Sequence, residues 1–272
     1  MGAEGDAKTT RYAVSADGTR IAYAVVGDGP LALFVHGMGA DHNQFAPLVP
    51  LLAESFTLYL MDRRGCGMSS EEGDGSYSWE REAEDIGAVV EAVEQPPRVW
   101  GHGYGGVCVL EAAQRGVAFE HVLVDDIEGG AAEPLVPRDL IEEMSAALGA
   151  DDRDAALALF LKRLVGLTDE QIEEQRDTDR WKTRTKSIHT FVREARAANA
   201  VRYDPDRLAS IGCPVRFVVG TESTQAMLDG ARRAHDGTPG SKLDVIEGRL
   251  FTTMYDEPAA AARAVGDWLL RP

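Results

Sequence analysis

The stretch Val99–Gly106, VWGHGYGG, has the pattern of an apolar strand that ends in a glycine-rich turn and opens a helix. Gly101, Gly105 and Gly106 lack the β-carbon that would keep a strand and a helix apart in so short a turn. The middle of the turn is Gly103, which also has no side chain. The stretch therefore predicts a tight strand–turn–helix unit with an empty place at its tip.

Short apolar runs on both sides of this unit predict a parallel sheet. Strands of this kind are buried on both faces, as in sheets whose strands are joined by helices. The runs lie at 31–37, 56–62, 98–102, 121–126, 214–220 and 242–248. An alternating pattern around Asp17-Gly18 predicts a hairpin before them. Helical patterns fall between the runs, so we predict an α/β protein with a mostly parallel twisted sheet and helices on both faces.

The region 131–207 interrupts this alternation of strands and helices. It carries helical patterns, among them an apolar stripe within 157–164, and no strand pattern. After it the strand–helix alternation resumes. We therefore predict a helical cap, or lid, at 131–207, inserted into a core made of 1–130 and 208–272.

The composition argues against several classes of partner. The 272 residues include 28 Lys and Arg against 45 Asp and Glu, a net charge of −17, which does not suit nucleic acid or an anionic membrane. The three cysteines have no metal-ligand spacing, and we find no secretion signal and no membrane-spanning run. We expect a cytoplasmic monomer or homodimer that binds an apolar small molecule, with no metal and no cofactor.

Four motifs along the chain match one known superfamily in order. They are HGMG at His36–Gly39, DRRGCGMSS at Asp62–Ser70, GHGYGG at Gly101–Gly106 and EGRLFTTMYDEP at Glu247–Pro258. From Arg11 onward the chain resembles the α/β-hydrolase superfamily in its capped form. The resemblance implies the α/β-hydrolase fold, and it makes the glycine-rich turn the elbow that usually carries a catalytic serine.

The resemblance also implies an oxyanion hole, that is, two backbone N–H groups that converge on one point. One would come from Tyr104, just after the elbow, and the other from Met38, in the loop after the third strand. Such a pair stabilises negative charge that develops on a substrate oxygen. We predict these two residues to be catalytic through their amides, with the Tyr104 phenol as a further hydrogen-bond donor.

The three positions of a Ser-His-Asp triad carry other residues. Gly103 stands at the nucleophile position, Ser223 at the position of the acid, and Phe251 at that of the histidine, or Leu250 if the alignment moves by one residue. Hydrolysis by a triad needs a hydroxyl, an imidazole and a carboxylate, so we predict that this chemistry is absent. Glu222, beside Ser223, is the candidate for a lone general base.

The remaining site predictions concern the walls of the cavity. The residues predicted to contact the ligand are Gly37, His42, Gly103, Asp126, Ser223, Phe251 and Trp181. Asp126 ends the predicted strand at 121–126, and Glu128 lies two residues beyond it. The sequence leaves open which of the two faces the site. His102 is expected to point into the packing behind the elbow.

Three functions remain open at this point. The first is an enzyme that performs a cofactor-free step other than hydrolysis on a bulky apolar molecule: a cyclisation, conjugate addition, C–C bond formation, lyase or isomerase step, as in natural-product biosynthesis. The second is a protein that binds a small molecule without changing it. The third is an atypical hydrolase that uses a water activated by Glu222 or Asp126.

Overall fold

The computed structural model of the chain describes residues 9–70, 77–130, 134–250 and 253–271. These residues form an eight-stranded sheet in the order β1-β2-β4-β3-β5-β6-β7-β8. The strands are β1 (Thr9–Val14), β2 (Arg20–Val26), β3 (Leu31–Val35), β4 (Thr57–Met61), β5 (Arg98–His102), β6 (His121–Asp125), β7 (Val215–Gly220) and β8 (Lys242–Ile246).

The sheet is parallel except at one edge. The hairpin β1–β2 pairs antiparallel, and β2 pairs antiparallel with β4. All other neighbours are parallel, with Val35 of β3 beside Gly101 of β5. The carboxyl ends of the central strands therefore meet at one edge of the sheet, where α/β proteins place their sites.

Helices connect the strands and form the insertion. They are α1 (Val49–Leu52), α2 (Trp79–Ala92), α3 (Tyr104–Gln114), α4 (Arg138–Gly149), α5 (Arg153–Phe160), α6 (Asp169–Gln175), α7 (Asp179–Ser187), α8 (Phe191–Ala200), α9 (Pro205–Ala209), α10 (Gln225–Gly237), α11 (Thr253–Asp256) and α12 (Pro258–Leu270). A π-helical turn, Leu161–Val165, extends α5. Within the described ranges, no helix has both the length and the apolar character needed to cross a membrane.

Each face of the sheet is covered by a separate apolar core. On one face, α2, α3 and α10 bury residues such as Ile86 and Ala231 against the strands. On the other face, α1 and α12 pack around Trp100 and Leu269. The predicted α/β architecture, with helices on both faces of a mostly parallel sheet, is confirmed.

The helices α4–α8 form the cap, which has an apolar core of its own that includes Leu157 and Phe191. Between β6 and β7 the described residues contain helices and turns but no strand. The cap therefore lies over the carboxyl ends of the strands as one insertion. Its predicted bounds of 131 and 207 stay predictions, since residues 131–133 are outside the described ranges and α9 runs across the second bound.

Candidate active site

Gly103 forms the tip of the turn between β5 and α3. Its backbone has φ 56° and ψ −126°, a left-handed conformation that strains any residue with a β-carbon. The Gly103 amide donates to the carbonyl of Asp125 at 2.8 Å, and α3 begins at the next residue, Tyr104. A β-carbon on Gly105 would overlap the carbonyl oxygen of Val35. The predicted tight strand–turn–helix unit is therefore present, with nothing but hydrogen at its tip.

Two backbone amides beside this tip have no hydrogen-bond partner in the described part of the chain, those of Met38 and Tyr104. The amides on either side of Met38 are both occupied, one by the Gln44 side chain and one by Glu194, each at 3.0 Å. Tyr104 is the first residue of α3, so its N–H has no acceptor within the helix. The pair has the character of an oxyanion hole.

A cavity of about 580 Å³ lies between the carboxyl ends of the strands and the cap. Its wall is mostly apolar. Six of the residues predicted for the site line it: Gly37, Met38, Gly103, Tyr104, Glu222 and Ser223. His102 also lines the cavity, although its side chain is buried and contacts Trp100 and Gln44, so its expected place in the packing behind the elbow stays a prediction. The cap contributes an apolar group of Phe160, Leu164, Val165 and Leu167.

Other predicted ligand contacts lie away from this wall. His42 is buried, and its Nδ1 shares a 2.8 Å hydrogen bond with Asp62 of the neighbouring loop. Trp181 is buried in the cap core, where its indole N–H donates to Asp154 at 2.7 Å. Both side chains support loops or helices and are not part of the described cavity lining. Phe251 lies outside the described residues.

Asp126 lies beneath the wall and is tied to protein partners. It accepts a hydrogen bond from the Ser223 hydroxyl at 2.9 Å, and Arg249 reaches it at 3.0 Å while holding Asp125 at 2.7 Å. Burial raises the pKa of both carboxyl groups, and the charge of Arg249 opposes that rise. A carboxylate engaged in this way is not available as a base, so the predicted contact of Asp126 with the ligand is not seen.

Glu128 is the carboxyl group that does face the cavity. Its side chain has no hydrogen bond or ion pair among the described residues. Burial and the nearby Asp126 raise its pKa from 4.5 to about 7. The Tyr203 hydroxyl fixes the Glu128 carbonyl at 2.7 Å. Together with Met38 and Tyr104, Glu128 also lines a small adjoining pocket.

Glu222 has a different environment from Glu128, although both line the cavity. Its side chain is exposed, and its amide donates to the carbonyl of Arg249 at 3.1 Å. An exposed carboxylate is stabilised by water and is a weak base, whereas a buried one with a pKa near neutrality suits proton transfer. The structure therefore favours Glu128 over the predicted Glu222.

The loop that carries Met38 is held by the buried guanidinium of Arg63. It donates to the carbonyls of His36 and Gly37, each at 3.0 Å, and it pairs with Glu82 at 2.7 Å and with Glu194 at 2.6 Å. Glu194 belongs to the cap helix α8, so this cluster also joins cap and core. The Met38 amide is thus fixed before any ligand arrives.

Two groups of buried side chains bring potential metal ligands within 4.8 Å of one another: Asp41, His42 and Asp62, and His102, Asp125 and Asp126. In the first group, His42 is hydrogen-bonded to Asp62, and Asp41 caps the 3-10 turn at the amide of Asn43. In the second, Arg249 occupies both carboxylates. Since these lone pairs are engaged by protein groups, we propose no metal at either place.

Comparison with known proteins gives one family and several solved structures. The model of a family described as "Alpha/beta hydrolase family" matches residues 32–264. An alpha/beta hydrolase from Sphaerobacter thermophilus is 27% identical with a TM-score of 0.79, and the match covers 95% of this chain and 99% of that one. An enol-lactonase from Burkholderia xenovorans is 18% identical with a TM-score of 0.78, covering 96% and 100%, which shows the shared fold.

Curated relatives match shorter parts of the chain. "Probable oxidoreductase EphD" of Mycobacterium tuberculosis is 33% identical over 169 residues, 56% of this chain and 28% of that protein. The pimeloyl-(acyl-carrier protein) methyl ester esterase of Stenotrophomonas maltophilia is 40% identical over 90 residues, 33% of this chain and 32% of that protein. The matches thus span about a third or less of these relatives' lengths, and both relatives are named as enzymes.

Proposed function

The chain belongs to the alpha/beta hydrolase family, and on that basis we propose that its cavity is the active site of a cofactor-free enzyme that catalyses a step other than hydrolysis. The observation that carries the proposal is Gly103, which leaves no nucleophile at the elbow while the amides of Met38 and Tyr104 stay without partners beside it. The mostly apolar wall supports a bulky apolar substrate.

The neighbours of the elbow support the absence of a Ser-His-Asp triad. Ser223, at the position of the acid, is a hydroxyl that donates to Asp126. Asp126 itself is bound by Arg249, a cation that cannot take a proton from any nucleophile. A hydroxyl introduced at Gly103 would therefore find no free carboxylate at Asp126, because Arg249 already neutralises that group.

The proposed chemistry is proton transfer next to a carbonyl group. Glu128, as the carboxylate, takes a proton from the carbon beside the carbonyl; the C–H electrons form a C=C bond, and the carbonyl oxygen takes the negative charge. The N–H groups of Met38 and Tyr104 bind that oxygen. The enolate carbon then attacks a second electrophilic carbon of the substrate, which gives C–C bond formation or cyclisation, or it expels a leaving group from the β-carbon, which gives a lyase step. In both cases Glu128 returns its proton to the oxygen or leaving group that takes the electron pair. Reprotonation of the enolate by Glu128 at a different carbon gives an isomerisation.

A second candidate is hydrolysis by a water that Glu128 activates. The pKa of about 7 suits this role as well, and relatives and structural neighbours are named esterases and an enol-lactonase. In this version Glu128 takes the place that the sequence suggested for Glu222 or Asp126. The two candidates share one base and differ in whether water enters the reaction.

The first experiment separates them. The purified protein is offered 4-nitrophenyl butyrate and, in parallel, a fluorophosphonate that labels activated serines. We expect no hydrolysis above the rate with heat-denatured protein and no mass increase of the chain. Hydrolysis that Glu128→Gln removes would establish the second candidate, and labelling at a serine would overturn both.

The second experiment looks for the proposed proton transfer directly. The apolar ketone 2-tetralone is incubated with the protein in D₂O, and deuterium at the carbon beside the carbonyl is followed by mass spectrometry. We expect exchange faster than in buffer, reduced by about 10²-fold in Glu128→Gln, since a general base contributes at least that much. Exchange that is lost in Glu222→Gln and kept in Glu128→Gln would show that the base is misassigned.

A further inference from the structure

The cap side of the cavity carries two arginines that no acid in the described part of the chain neutralises. Arg180 and Arg184 lie four residues apart on α7, so they share one face of the helix, and both line the cavity. Neither has an ion-pair partner among the described residues. The Nε atoms of both are buried without a hydrogen-bond partner there.

The contacts of these guanidinium groups are aromatic. Arg184 lies 4.9 Å from the ring centre of Phe160, and Arg180 lies 3.7 Å from that of Tyr255. Such stacking leaves the edge of each guanidinium, where the N–H donors lie, unused. The donors are therefore available to a group inside the cavity.

Two other basic residues of the cap, in contrast, have acidic partners. Arg163 pairs with Asp139 and Glu143 on the surface, and Lys182, on the same helix α7, pairs with Asp179 at 3.5 Å. The acids that line the cavity are Asp41, Glu128, Asp179 and Glu222, and none of them is within ion-pair distance of Arg180 or Arg184. Arg163 and Lys182 thus have acidic partners, whereas Arg180 and Arg184, which line the cavity, have none among the described residues.

An unpaired cation in an apolar wall is unfavourable until an anion arrives. Burial, together with the positive charge of Arg180, lowers the pKa of Arg184 to about 10, while Tyr255 opposes the shift. Arg184 is still charged at neutral pH. A carboxylate between the two guanidinium groups would supply the missing counter-charge through charge-assisted hydrogen bonds.

We propose that Arg180 and Arg184 form a subsite for a carboxylate, so that the substrate is an apolar molecule with a single carboxylate at the end opposite its reacting carbonyl. This rests on the proposed function only for the direction of the reacting end. Apolar residues of the cap and core, Phe160, Leu164, Leu167 and Met227, line the same cavity and suit the body of such a molecule. The net charge of −17 favours a monoanion over a more highly charged group, because the approach of a dianion is more strongly opposed.

The test measures binding and needs no turnover. Isothermal titration calorimetry compares octanoate, octan-1-ol and octyl phosphate, which share one apolar chain. We expect wild-type protein to bind octanoate at least about tenfold more tightly than octan-1-ol, as charge-assisted hydrogen bonds allow. Arg180→Gln and Arg184→Gln should each remove most of that preference, and Arg184→Lys should keep part of it.

Lys182→Gln is the matched control, because it removes the same charge from the same helix outside the cavity lining. It should leave octanoate binding unchanged. Equal binding of octanoate and octan-1-ol by wild-type protein, or an equal loss in Lys182→Gln, would overturn the subsite. Octyl phosphate binding more than about tenfold tighter than octanoate would overturn the carboxylate assignment in favour of a phosphate.

Two further measurements distinguish a failure of the carboxylate subsite from a structural effect and from a failure of the proposed function. Thermal melting should show that Arg184→Gln is at least as stable as wild type, since it removes an uncompensated charge; a lower melting temperature with lost binding would point to a structural role instead. Ester hydrolysis by wild-type protein with an intact octanoate preference would refute the proposed function and leave the carboxylate subsite standing.

Discussion

At the scale of single residues, the elbow combines a left-handed backbone conformation with the absence of a side chain at Gly103. Gly103 adopts φ 56° and ψ −126° without strain because it has no β-carbon. A serine in the same place would be strained, and it would need a base to become a nucleophile. The same residue therefore bears on both stability and chemistry.

Gly103→Ser tests both consequences. We expect the free energy of unfolding to fall by roughly 1–3 kcal/mol, the usual cost of such a backbone conformation, and no esterase activity to appear. Urea denaturation and 4-nitrophenyl ester assays measure the two. Gly149→Ser is the control, since Gly149 has φ outside the left-handed region and open space around it, and it should change neither. Brisk ester hydrolysis by Gly103→Ser would mean that a neighbouring group such as Glu128 can activate the new hydroxyl, and it would contradict the expectation.

Glu128 connects pH with stability. Its pKa in the folded protein, about 7, lies above the value of 4.5 for an unperturbed glutamate, so the folded state holds the proton more tightly. The stabilisation from that proton is complete below about pH 4.5 and is lost as the pH rises through about 7. A shift of this size corresponds to roughly 3 kcal/mol, as an upper value for a group that partly faces the cavity.

Glu128→Gln removes this titration. Relative to wild type, the variant should gain stability between about pH 4 and about pH 8, because only the wild type has to ionise a buried carboxyl group there. Melting temperatures over that range measure the difference. Glu222→Gln leaves Glu128 in place, so it should keep the loss of stability as the pH rises through about 7. A constant offset between Glu128→Gln and wild type at every pH would contradict the raised pKa.

At the scale of elements, the sequence predicts strands better than it predicts the walls of the cavity. The apolar runs at 98–102 and 214–220 correspond to β5 and β7 within one residue. A strand that is buried on both faces is a continuous apolar run, which the sequence shows directly. The sequence predicts Trp181 at the cavity, whereas the structure has it in the cap core. Helix α7 has one face toward that core and one toward the cavity, and an aromatic residue suits either face. The sequence does not decide whether Asp126 or Glu128 faces the cavity, and the reason is different. The positive φ of Asp126, 49°, turns the chain after β6, and no sequence pattern records that turn.

Among the contacts between elements, those of Arg63 should contribute most to the free energy of unfolding. Arg63→Met would leave Glu82 and Glu194 buried without their shared cation and should cost roughly 3–5 kcal/mol. The loss should be larger at pH 8 than at about pH 5, because Glu82, whose pKa burial raises to about 7, can regain neutrality only by taking up a proton. Urea denaturation at both pH values measures it.

Arg163→Met, which breaks the surface pairs of α4, is the comparison and should cost within about 1 kcal/mol. If Arg63→Met does not fold, Arg63→Lys retains the charge but loses the fork of buried donors, so it should be less stable than the Arg163→Met comparison. Equal effects of the two methionine variants would refute the role given to the Arg63 cluster.

At the scale of the whole molecule, the net charge of −17 acts on every state of the chain. Like charges on a compact surface repel one another, and salt screens exposed charges over roughly 10 Å at moderate ionic strength. Added NaCl should therefore raise the melting temperature, while the buried ion pairs of Arg63 and Arg249 are little affected. Calorimetry over a salt series measures this, and a melting temperature that falls with salt would show that attractive surface pairs dominate.

The ion pair between Arg63 and Glu194 also determines how a molecule reaches the cavity. Swinging the cap away would separate these two buried charges, at a cost of roughly 3–5 kcal/mol, so only about one molecule in 10² to 10⁴ would be open in that way at a given moment. The exposed lining residues mark the rim of the cavity: Asn43, Ala46, Asp179, Glu222, Thr224 and Leu250. We expect ligands to enter and leave through that rim. The side chains of the rim, more than any motion of the cap, should therefore determine the residence time of a bound ligand.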